Sequence, residues 1–324
     1  MHQLRPLIKI YNSIFLVSLN LSLYIRYFRV VIRFRKKVGY FPNIAVPTLY
    51  HEKMFWRKIF DRNPIFKVFC DKLATKDYIK EKCPNLKIPR TVWKETNLAM
   101  ALQHSIQSHL VIKANHGCNF NYFTNSPNSL NLEGYTKLLN KWFSKTYGLK
   151  NLEWAYTQVK KTIFAEELIA CDLPIGLVEI NVRCTDGQVI LCSIILNNKS
   201  KDMKVGYFDL HGNRIVDDVE SSKLGLLDQD FTVPEVFYKA INYAEILSKG
   251  VDYARYDFMY NGKDIFAGEI TVYPAAGLSR FNKDNKHSFD AIVTNYWDIR
   301  KSWFLNNTQS GWRKYYSKLL ISSQ

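Results

Sequence analysis

Two carboxylates in the last quarter of the chain, Asp257 and Glu269, are placed so that they could bind a divalent cation together. They stand in two segments rich in β-branched and aromatic residues, 253–260 and 265–272, which the turn signal Asn261-Gly262 separates. A hairpin of two such strands can bring both carboxylates to one face or one end of a sheet. Paired carboxylate oxygens suit Mg²⁺, and Mg²⁺ suits the phosphates of a nucleotide. The alternative is that both acids are solvent-facing charges on an ordinary hairpin.

Three segments upstream carry further residues of the kind that hold a nucleotide. Residues 71–83 are predicted to form a helix that begins with the pair Asp71-Lys72. Residues 110–117 begin as an apolar strand, and its Lys113 would project at the start of a loop with one glycine. Residues 162–169 are predicted to form a strand that ends in acids, as a hinge does. A lysine before a helix, a lysine on a strand, an acidic hinge and a paired-acid hairpin, in that order, resemble the skeleton of an ATP-grasp enzyme.

Six short motifs cover about residues 39–285 in a regular order. They are Gly39-Tyr-Phe-Pro42, residues 47–53, residues 61–66 ahead of Asp71-Lys72, Lys113-Ala-Asn-His-Gly117, residues 165–169 and residues 268–274. Together they resemble the TupA-like ATP-grasp family, which is associated with building bacterial surface polysaccharides and teichuronopeptide. The resemblance implies an α+β chain with an ATP-grasp fold. A lid subdomain would close on a larger, sheet-containing C-terminal lobe, and a basic amphipathic helix would precede both.

The resemblance also implies a set of nucleotide contacts. Lys72 and Lys113 would contact the phosphates, Lys113 with a catalytic role, and the backbone N–H groups of His116 and Gly117 would cover them. The residues matching the hinge that holds adenine and ribose are Glu166, Glu167, Leu168 and Ile169. The alternatives are solvated lysines, a simple turn at the glycine and a strand end with exposed acids.

The metal and catalytic residues implied by the resemblance lie on the predicted hairpin. Asp257 and Glu269 would bind Mg²⁺, and Arg255 would meet the transferring phosphoryl oxygens through its forked donors. Arg255 could instead form a purely structural ion pair with one of these acids. Thr271 stands where the wider superfamily commonly has Asn, which weakens its assignment as a third ligand. Its hydroxyl could still bind Mg²⁺ directly or through water.

The charge distribution points to a polyanionic partner. The formal charge is +16, and residues 1–51 contain no Asp or Glu although eight Lys or Arg fall within the first 37. On a helical wheel a polar arc faces an apolar side that includes Leu21, Tyr24, Phe28, Val31 and Ile32. The members of the polar arc are Ser18, Ser22, Arg26, Arg29, Arg33, Lys36 and Lys37. This pattern predicts a helix lying on an anionic membrane surface, with the alternative of a helix docked on the protein's own body.

The uncharged run of this segment argues against two other roles. Residues 10–25 are short and polar for a transmembrane span, and no small-residue cleavage site precedes the arginines. The chain is predicted to divide into four parts: a basic helix over 1–38, an N-terminal lobe over 39–90, a lid over 91–165 and a catalytic lobe over 166–324. Within them, strands are predicted at 176–184 and 188–196 around Asp186-Gly187, and a helix at 234–248.

The six cysteines show no C-x-x-C pair and no zinc-ligand spacing, which predicts reduced thiols in a cytosolic protein. Cys118 stands where relatives often carry Ser, and Lys76 where they often carry Arg. Neither an RNA-binding nor a helix-turn-helix signature accompanies the basic charge, so no nucleic-acid partner is predicted.

The family resemblance implies an ATP- and Mg²⁺-dependent carboxylate–amine ligase. It would form an amide through an acyl phosphate, joining an amino acid or amine to a uronic acid of a surface polysaccharide or its precursor. We expect it in the cytoplasm, peripheral to the inner face of the membrane. The alternatives are a sugar kinase or other transferase with the same ATP site, and a non-catalytic membrane-associated scaffold.

Overall fold

The computed structural model describes residues 4–104, 109–124, 131–198, 200–215, 225–279 and 289–323. The first three residues of the predicted basic helix and residues 280–285 of the family resemblance lie outside these ranges. The chain divides into two compact units. We call Met1–Asn63, Gly250–Asp252 and Tyr273–Gln324 the terminal unit, and Pro64–Lys249 with Tyr253–Val272 the central unit. The predicted lobe and lid boundaries stay predictions.

The chain is a mixture of helices and strands throughout. The helices are α1 (Leu4–Arg26), α2 (Phe28–Val38), α3 (Tyr50–Phe60), α4 (Ile65–Cys70), α5 (Lys72–Lys82), α6 (Leu98–Gln103), α7 (Leu132–Ser144), α8 (Val236–Leu247), α9 (Phe289–Tyr296), α10 (Trp303–Asn306) and α11 (Gly311–Ser323). The strands are β1 (Thr91–Glu95), β2 (Leu110–Ala114), β3 (Asn121–Phe123), β4 (Ile163–Glu167), β5 (Val178–Thr185), β6 (Gln188–Leu196), β7 (Lys204–Phe208), β8 (Gly225–Leu226), β9 (Ala254–Tyr260) and β10 (Ile265–Thr271).

Among the residues that the structure describes, the central unit contains two sheets. The smaller has the strand order β1-β4-β2-β3, and all its neighbours are antiparallel. The larger has the order β10-β9-β5-β6-β7-β8, antiparallel except for the β7–β8 pair. The hairpins predicted around Asn261-Gly262 and Asp186-Gly187 are confirmed as β9–β10 and β5–β6. The segment from β4 to β5 therefore connects one sheet to the other.

The two faces of the larger sheet have different chemistry. Helix α8 packs on β5, β6 and β9, and it buries Phe237, Ala240 and Ala244. Side chains alternate between the faces of a strand, so Ala254, Tyr256 and Phe258 of β9 are buried and the residues between them are half-buried. The half-buried positions include Arg255 and Asp257. One face is thus an apolar core, and the other carries the polar groups of the candidate site.

The terminal unit contains an aromatic core between helices. Phe34 of α2 lies stacked on Phe55 of α3, with ring centroids 5.7 Å apart. Tyr316 of α11 accepts a 2.8 Å hydrogen bond from the indole of Trp56 and donates one of 2.8 Å to the Ala45 carbonyl. These contacts tie helices from both ends of the chain together.

The predicted basic helix is two helices, which corrects the helical-wheel assignment. Tyr27, at φ −113° and ψ 25°, separates α1 from α2 and shifts the two helices out of one continuous wheel. Val31, predicted to face acyl chains, is 2% exposed and packs in the terminal unit. Tyr24, also predicted to face lipid, donates a 2.7 Å hydrogen bond to the Pro42 carbonyl. Helix α2 is therefore docked on the body, and Leu21 and Phe28 stay exposed at 57% and 61%.

The packing of α2 predicts a large stability difference between two phenylalanines of that helix. Phe34→Ala removes a side chain that is 1% exposed, and we expect it to lower the free energy of unfolding by about 3–5 kcal/mol. Phe28→Ala, at a residue 61% exposed, is the control and should change it by less than about 0.5 kcal/mol. Urea unfolding of both variants measures the difference. Equal effects would contradict the docking of α2.

Candidate functional site

An irregularity in the hairpin places Asp257 and Glu269 together. The register pairs Ala267 with Phe258 and Ile270 with Tyr256, so two residues of β10 lie opposite Asp257 alone. Such a bulge bends a strand and re-aims its side chains. A Cβ on Gly268 would lie 2.8 Å from the Asp257 carbonyl oxygen, so only glycine fits beside this strand. The predicted pairing of the two carboxylates on one ribbon is thus present, with Glu269 set by the bulge.

Arg255 forms a two-pronged ion pair with Asp257. The distances are 2.7 Å from Nε to Oδ1 and 2.6 Å from Nη2 to Oδ2, and Nη2 lies 3.5 Å from the Thr271 hydroxyl. Burial alone would lower the pKa of Arg255, but the charge and hydrogen bonds of Asp257, with the charge of Glu269, raise it above its ordinary value. The guanidinium is therefore always charged here. The ion pair expected as the structural alternative for Arg255 is present, with Asp257 as its partner.

The loop after β2 is fastened to the start of α5. Asp71 caps α5 by accepting a 2.9 Å hydrogen bond from the Leu73 backbone, and it also accepts one of 2.9 Å from the Asn115 side chain. Lys72 donates from its ammonium group to the Gly117 carbonyl. A Cβ on Gly117 would lie 2.9 Å from the rings of Phe120 and Tyr147, which explains the glycine. The predicted phosphate-binding residues Lys72 and Gly117 therefore meet.

The side chain of His116 is held away from the loop surface. It is 2% exposed, and its Nε2 lies 3.0 Å from the Trp142 carbonyl oxygen. Burial lowers the pKa of His116, and nearby Lys161 and Lys72 lower it further against the effect of that carbonyl. The imidazole is neutral and structural, which leaves the backbone as the part of His116 that could face a phosphate.

Glu166 bridges two lysines at the end of β4. It pairs with the ammonium of Lys113 and, at 2.7 Å, with that of Lys76, and its side chain is 4% exposed. Burial alone would raise the pKa of Glu166, but the charges and hydrogen bonds of the two lysines more than offset this and lower it. The family resemblance did not identify Lys76 as a partner. Its position one helical turn after Lys72 on α5 was the available signal.

The remaining hinge residues are more open. Glu167 is exposed and pairs with Arg90, the Leu168 backbone donates a 2.9 Å hydrogen bond to the His109 carbonyl, and Ile169 is half-buried. These residues lie where the chain leaves the smaller sheet for the larger one. Glu166 thus contacts the two lysines, whereas Glu167, Leu168 and Ile169 lie at the start of the segment that connects the two sheets.

Cys118 lies in the loop after β2, next to Glu269. Its sulfur is 3.4 Å from the Tyr156 hydroxyl and 3.9 Å from the Glu269 carboxylate. Burial and the neighbouring Glu269 raise the pKa of the Cys118 thiol, against smaller effects of Lys72 and two tyrosines. A protonated thiol is a poor nucleophile, so Cys118 contributes packing and a weak hydrogen bond.

Comparison with known proteins decides the family. The model of the TupA-like ATP-grasp family matches residues 52–297. The chain belongs to this family. Membership confirms the predicted family, its ATP-grasp fold class and the expectation of an enzyme. No curated protein matches the chain.

Several solved structures are similar to this ATP-grasp chain at low identity. D-alanine–D-alanine ligase from Bacillus anthracis is 13% identical, with 79% of this chain and 67% of that chain covered and a TM-score of 0.36. ATP-grasp ligase PsnB with a minimal precursor is 12% identical over 81% of this chain and 63% of its own, with a TM-score of 0.35. D-alanine–D-alanine ligase from Helicobacter pylori is 13% identical over 71% and 62%, with a TM-score of 0.39. At such scores these likenesses add nothing to the family match.

The oxygen atoms around Asp257 fit Mg²⁺, the cation expected for an ATP-grasp enzyme. Within the described ranges, no group of three or more His, Cys, Asp or Glu could hold a metal ion. A site here would therefore combine the carboxylates of Asp257 and Glu269 with neutral oxygens. The Thr271 hydroxyl is one candidate, and the buried amide oxygen of Asn181, which accepts no hydrogen bond from the described residues, is another. Such mixed oxygen sets suit Mg²⁺.

The two ion pairs of Glu166 predict a pH-dependent stability term. Because its folded-state pKa is lowered, the stabilisation is fully present above the unfolded-state pKa of about 4.3 and is lost as the pH falls through the folded-state value. Glu166→Gln should lower the free energy of unfolding near neutral pH by about 3–5 kcal/mol, since both lysines lose their counterion. It should also flatten the loss of stability below pH ~4.3.

Urea unfolding at several pH values measures this effect. The matched control is Glu167→Gln, because that neighbouring carboxylate is exposed and pairs only at the surface, so it should change little. The assignment fails if both variants show the same pH dependence as the unmodified protein.

Proposed function

We propose that the protein is a carboxylate–amine ligase that uses ATP and Mg²⁺. The γ-phosphoryl group would pass to a carboxylate oxygen, giving an acyl phosphate and ADP. An amine would then attack the acyl carbon and expel phosphate, leaving an amide and releasing a proton. The family match supports the ATP-grasp site, and catalysis of this kind depends mainly on positioning and charge neutralisation.

The observation that carries the proposal is the polar face at Asp257. Two carboxylates, a forked guanidinium and a hydroxyl lie together on β9 and β10, beside the loop that contains Cys118. Asp257 and Glu269 would hold Mg²⁺, and the bound ion would supply positive charge to the phosphates. Arg255 would stay charged throughout and offer its remaining N–H donors to phosphoryl oxygens.

The lysines have roles that follow from their present partners. Lys113 and Lys76 share Glu166, and their side chains are 23% and 17% exposed, so they remain reachable. A polyphosphate could draw either ammonium group from the carboxylate without leaving a buried charge alone. Lys72, bonded to the Gly117 carbonyl, would act in the same way at the loop.

The acceptor that we propose is a uronic acid of a bacterial surface polysaccharide or its lipid-linked precursor, and the amine an amino acid. The family resemblance supports this choice. The formal charge of +16 supports it as well, because an acidic glycan is attracted to a basic protein.

Carboxylate substitutions test the ligase proposal. Asp257→Asn and Glu269→Gln should each lower ATP-dependent phosphate release by at least ~100-fold, because the metal-held charge balance is lost. Phosphate release with panels of uronic acids and amino acids measures this, and a thermal shift on adding MgATP measures binding. Asp264→Asn is the control, since this acid lies on the same hairpin and pairs with Lys87 at 2.6 Å.

Three outcomes contradict the ligase proposal in different ways. Full activity in both variants refutes the site. A phosphorylated sugar as product indicates a kinase. The absence of any thermal shift with MgATP indicates a scaffold with a degenerate site.

We also propose that α1 attaches the protein to the anionic membrane surface. Eight of its large apolar side chains have exposed fractions between 56% and 80%, although Leu23 is buried at 5%. They are Leu7, Ile8, Ile10, Tyr11, Ile14, Val17, Leu21 and Ile25. Residues 7–26 are long and apolar enough, by length and composition, to cross a membrane, a property shared with core helices and signal sequences.

Two asparagines of α1 support a helix that lies flat. Asn20 accepts hydrogen bonds of 2.8 Å and 3.1 Å from the backbone of Ile44 and Ala45, and Asn12 accepts one of 2.6 Å from the hydroxyl of Tyr315. A helix crossing the bilayer would lose these bonds, whereas a helix lying in the interface keeps them and inserts its apolar side.

Serine substitutions on the outer side of α1 test the membrane proposal. Ile14→Ser, Val17→Ser and Leu21→Ser together should lower the fraction bound to phosphatidylglycerol vesicles by at least ~10-fold, because three apolar side chains no longer insert. Sedimentation measures the bound fraction. The matched control replaces three exposed leucines elsewhere, Leu132, Leu149 and Leu210, by Ser. Equal binding of both triple variants would contradict the role of α1.

A further inference from the structure

Asn181 is a buried amide on the strand next to the paired carboxylates. It lies on β5, directly opposite Asp257 of β9 in the antiparallel register. Its side chain belongs to a residue that is only 4% exposed. Opposite residues of an antiparallel pair share one face of the sheet, so Asn181 lies on the same polar face as Asp257.

Three oxygen-bearing residues thus lie in a row across three strands. Glu269 stands in the bulge on one side of Asp257, and Asn181 stands on the other side. Opposite Cβ atoms in such a pair are about 4.5–5.5 Å apart. Oxygens of Mg²⁺ sites lie about 2.0–2.1 Å from the metal, so side chains on neighbouring strands can reach one ion.

The amide oxygen of Asn181 is buried and accepts no hydrogen bond from any described residue. A buried acceptor without a partner costs free energy, and such groups are rare in folded proteins. Asn115, another buried asparagine of the central unit, shows the usual situation. Its amide donates to Asp71 and to the Lys160 carbonyl, and its oxygen accepts from the Thr162 backbone. The open oxygen of Asn181 is therefore a feature that a ligand would explain.

We propose that the side-chain oxygen of Asn181 is a further ligand of the Mg²⁺ ion, bound directly or through one water. This inference rests on the proposed function, because it assumes the cation at Asp257 and Glu269. The Arg255 ion pair does not block it, since each carboxylate oxygen of Asp257 has a second lone pair. The amide oxygen of Asn181 would be a neutral oxygen ligand, as the hydroxyl of Thr271 would be.

Mn²⁺ binding tests the assignment without any knowledge of the acceptor. Electron paramagnetic resonance of free Mn²⁺, titrated with and without ADP, gives the dissociation constant of the metal. Asn181→Leu, of similar volume, should weaken Mn²⁺ binding at least ~10-fold. Asn181→Asp should retain or tighten it, because a carboxylate is an equal or better ligand for this ion. Thr185→Val, four residues along the same strand, is the control and should leave Mn²⁺ binding unchanged.

A stability measurement separates a ligand from a structural residue. Asn181→Leu removes an unsatisfied buried acceptor, so in the absence of metal its urea midpoint should equal or exceed that of the unmodified protein. A structural asparagine would show a lower midpoint.

Each other outcome has one meaning. If Asp257→Asn weakens Mn²⁺ binding and Asn181→Leu does not, the proposal for Asn181 is overturned and the metal site stands. If Asn181→Asp weakens metal-free ADP binding and leaves Mn²⁺ binding unchanged, the amide donates to a phosphate and the proposal is likewise overturned. If neither Asp257→Asn nor Asn181→Leu changes Mn²⁺ binding, the proposed metal site fails together with the inference.

Discussion

The ion pair between Arg255 and Asp257 is the contact on which the polar face of the larger sheet depends. Asp257 and Glu269 lie beside a bulge, and the Asp257 side chain is only 15% exposed. Without a counterion, the two poorly solvated carboxylates would repel each other. Arg255 provides that counterion from the same strand, two residues away and therefore on the same face. The opposite face is filled by α8, so the strand has only this side on which to keep charges. The Asp257 carboxylate is thus held in place by a contact within the protein itself.

The same principle governs the other end of the candidate site. Glu166 is nearly inaccessible and is balanced by Lys113 and Lys76, much as Asp257 is balanced by Arg255. Burying any of these groups alone would be expensive, whereas exchanging one partner for another is not. A divalent cation could bind the second lone pairs of Asp257 beside the guanidinium, and a phosphate could take the place of the Glu166 carboxylate at a lysine. A magnesium nucleotide therefore matches both networks, because it brings charges of both signs.

Local patterns in the sequence were sufficient for the parts of the site that depend on near neighbours. Asn261-Gly262 determined the hairpin, and the Asp71-Lys72 pair marked the start of α5 correctly. The contacts that were missed join residues far apart in sequence. Asn181 meets Asp257 only because β5 pairs with β9, and Lys76 meets Glu166 only because α5 approaches β4. A signal for Asn181 did exist, since Glu179, Asn181, Arg183 and Thr185 alternate with apolar residues along β5.

The N-terminal helices show why a helical wheel identifies two faces without saying which one meets the protein. In α2 the apolar residues Val31 and Phe34 are buried in the terminal unit. The cationic residues Arg35, Lys36 and Lys37 are exposed. In α1 the contacts are mixed, because Asn12 and Asn20 form hydrogen bonds within the terminal unit and Leu23 is buried, whereas most of the large apolar side chains are exposed. The non-helical residue Tyr27 permits this difference between the helices, because each helix can then have its own rotation about its axis. The outer surface is therefore amphipathic along the chain rather than around one helix. Apolar residues of α1 are followed by the arginines and lysines of α2, which suits insertion beside anionic headgroups.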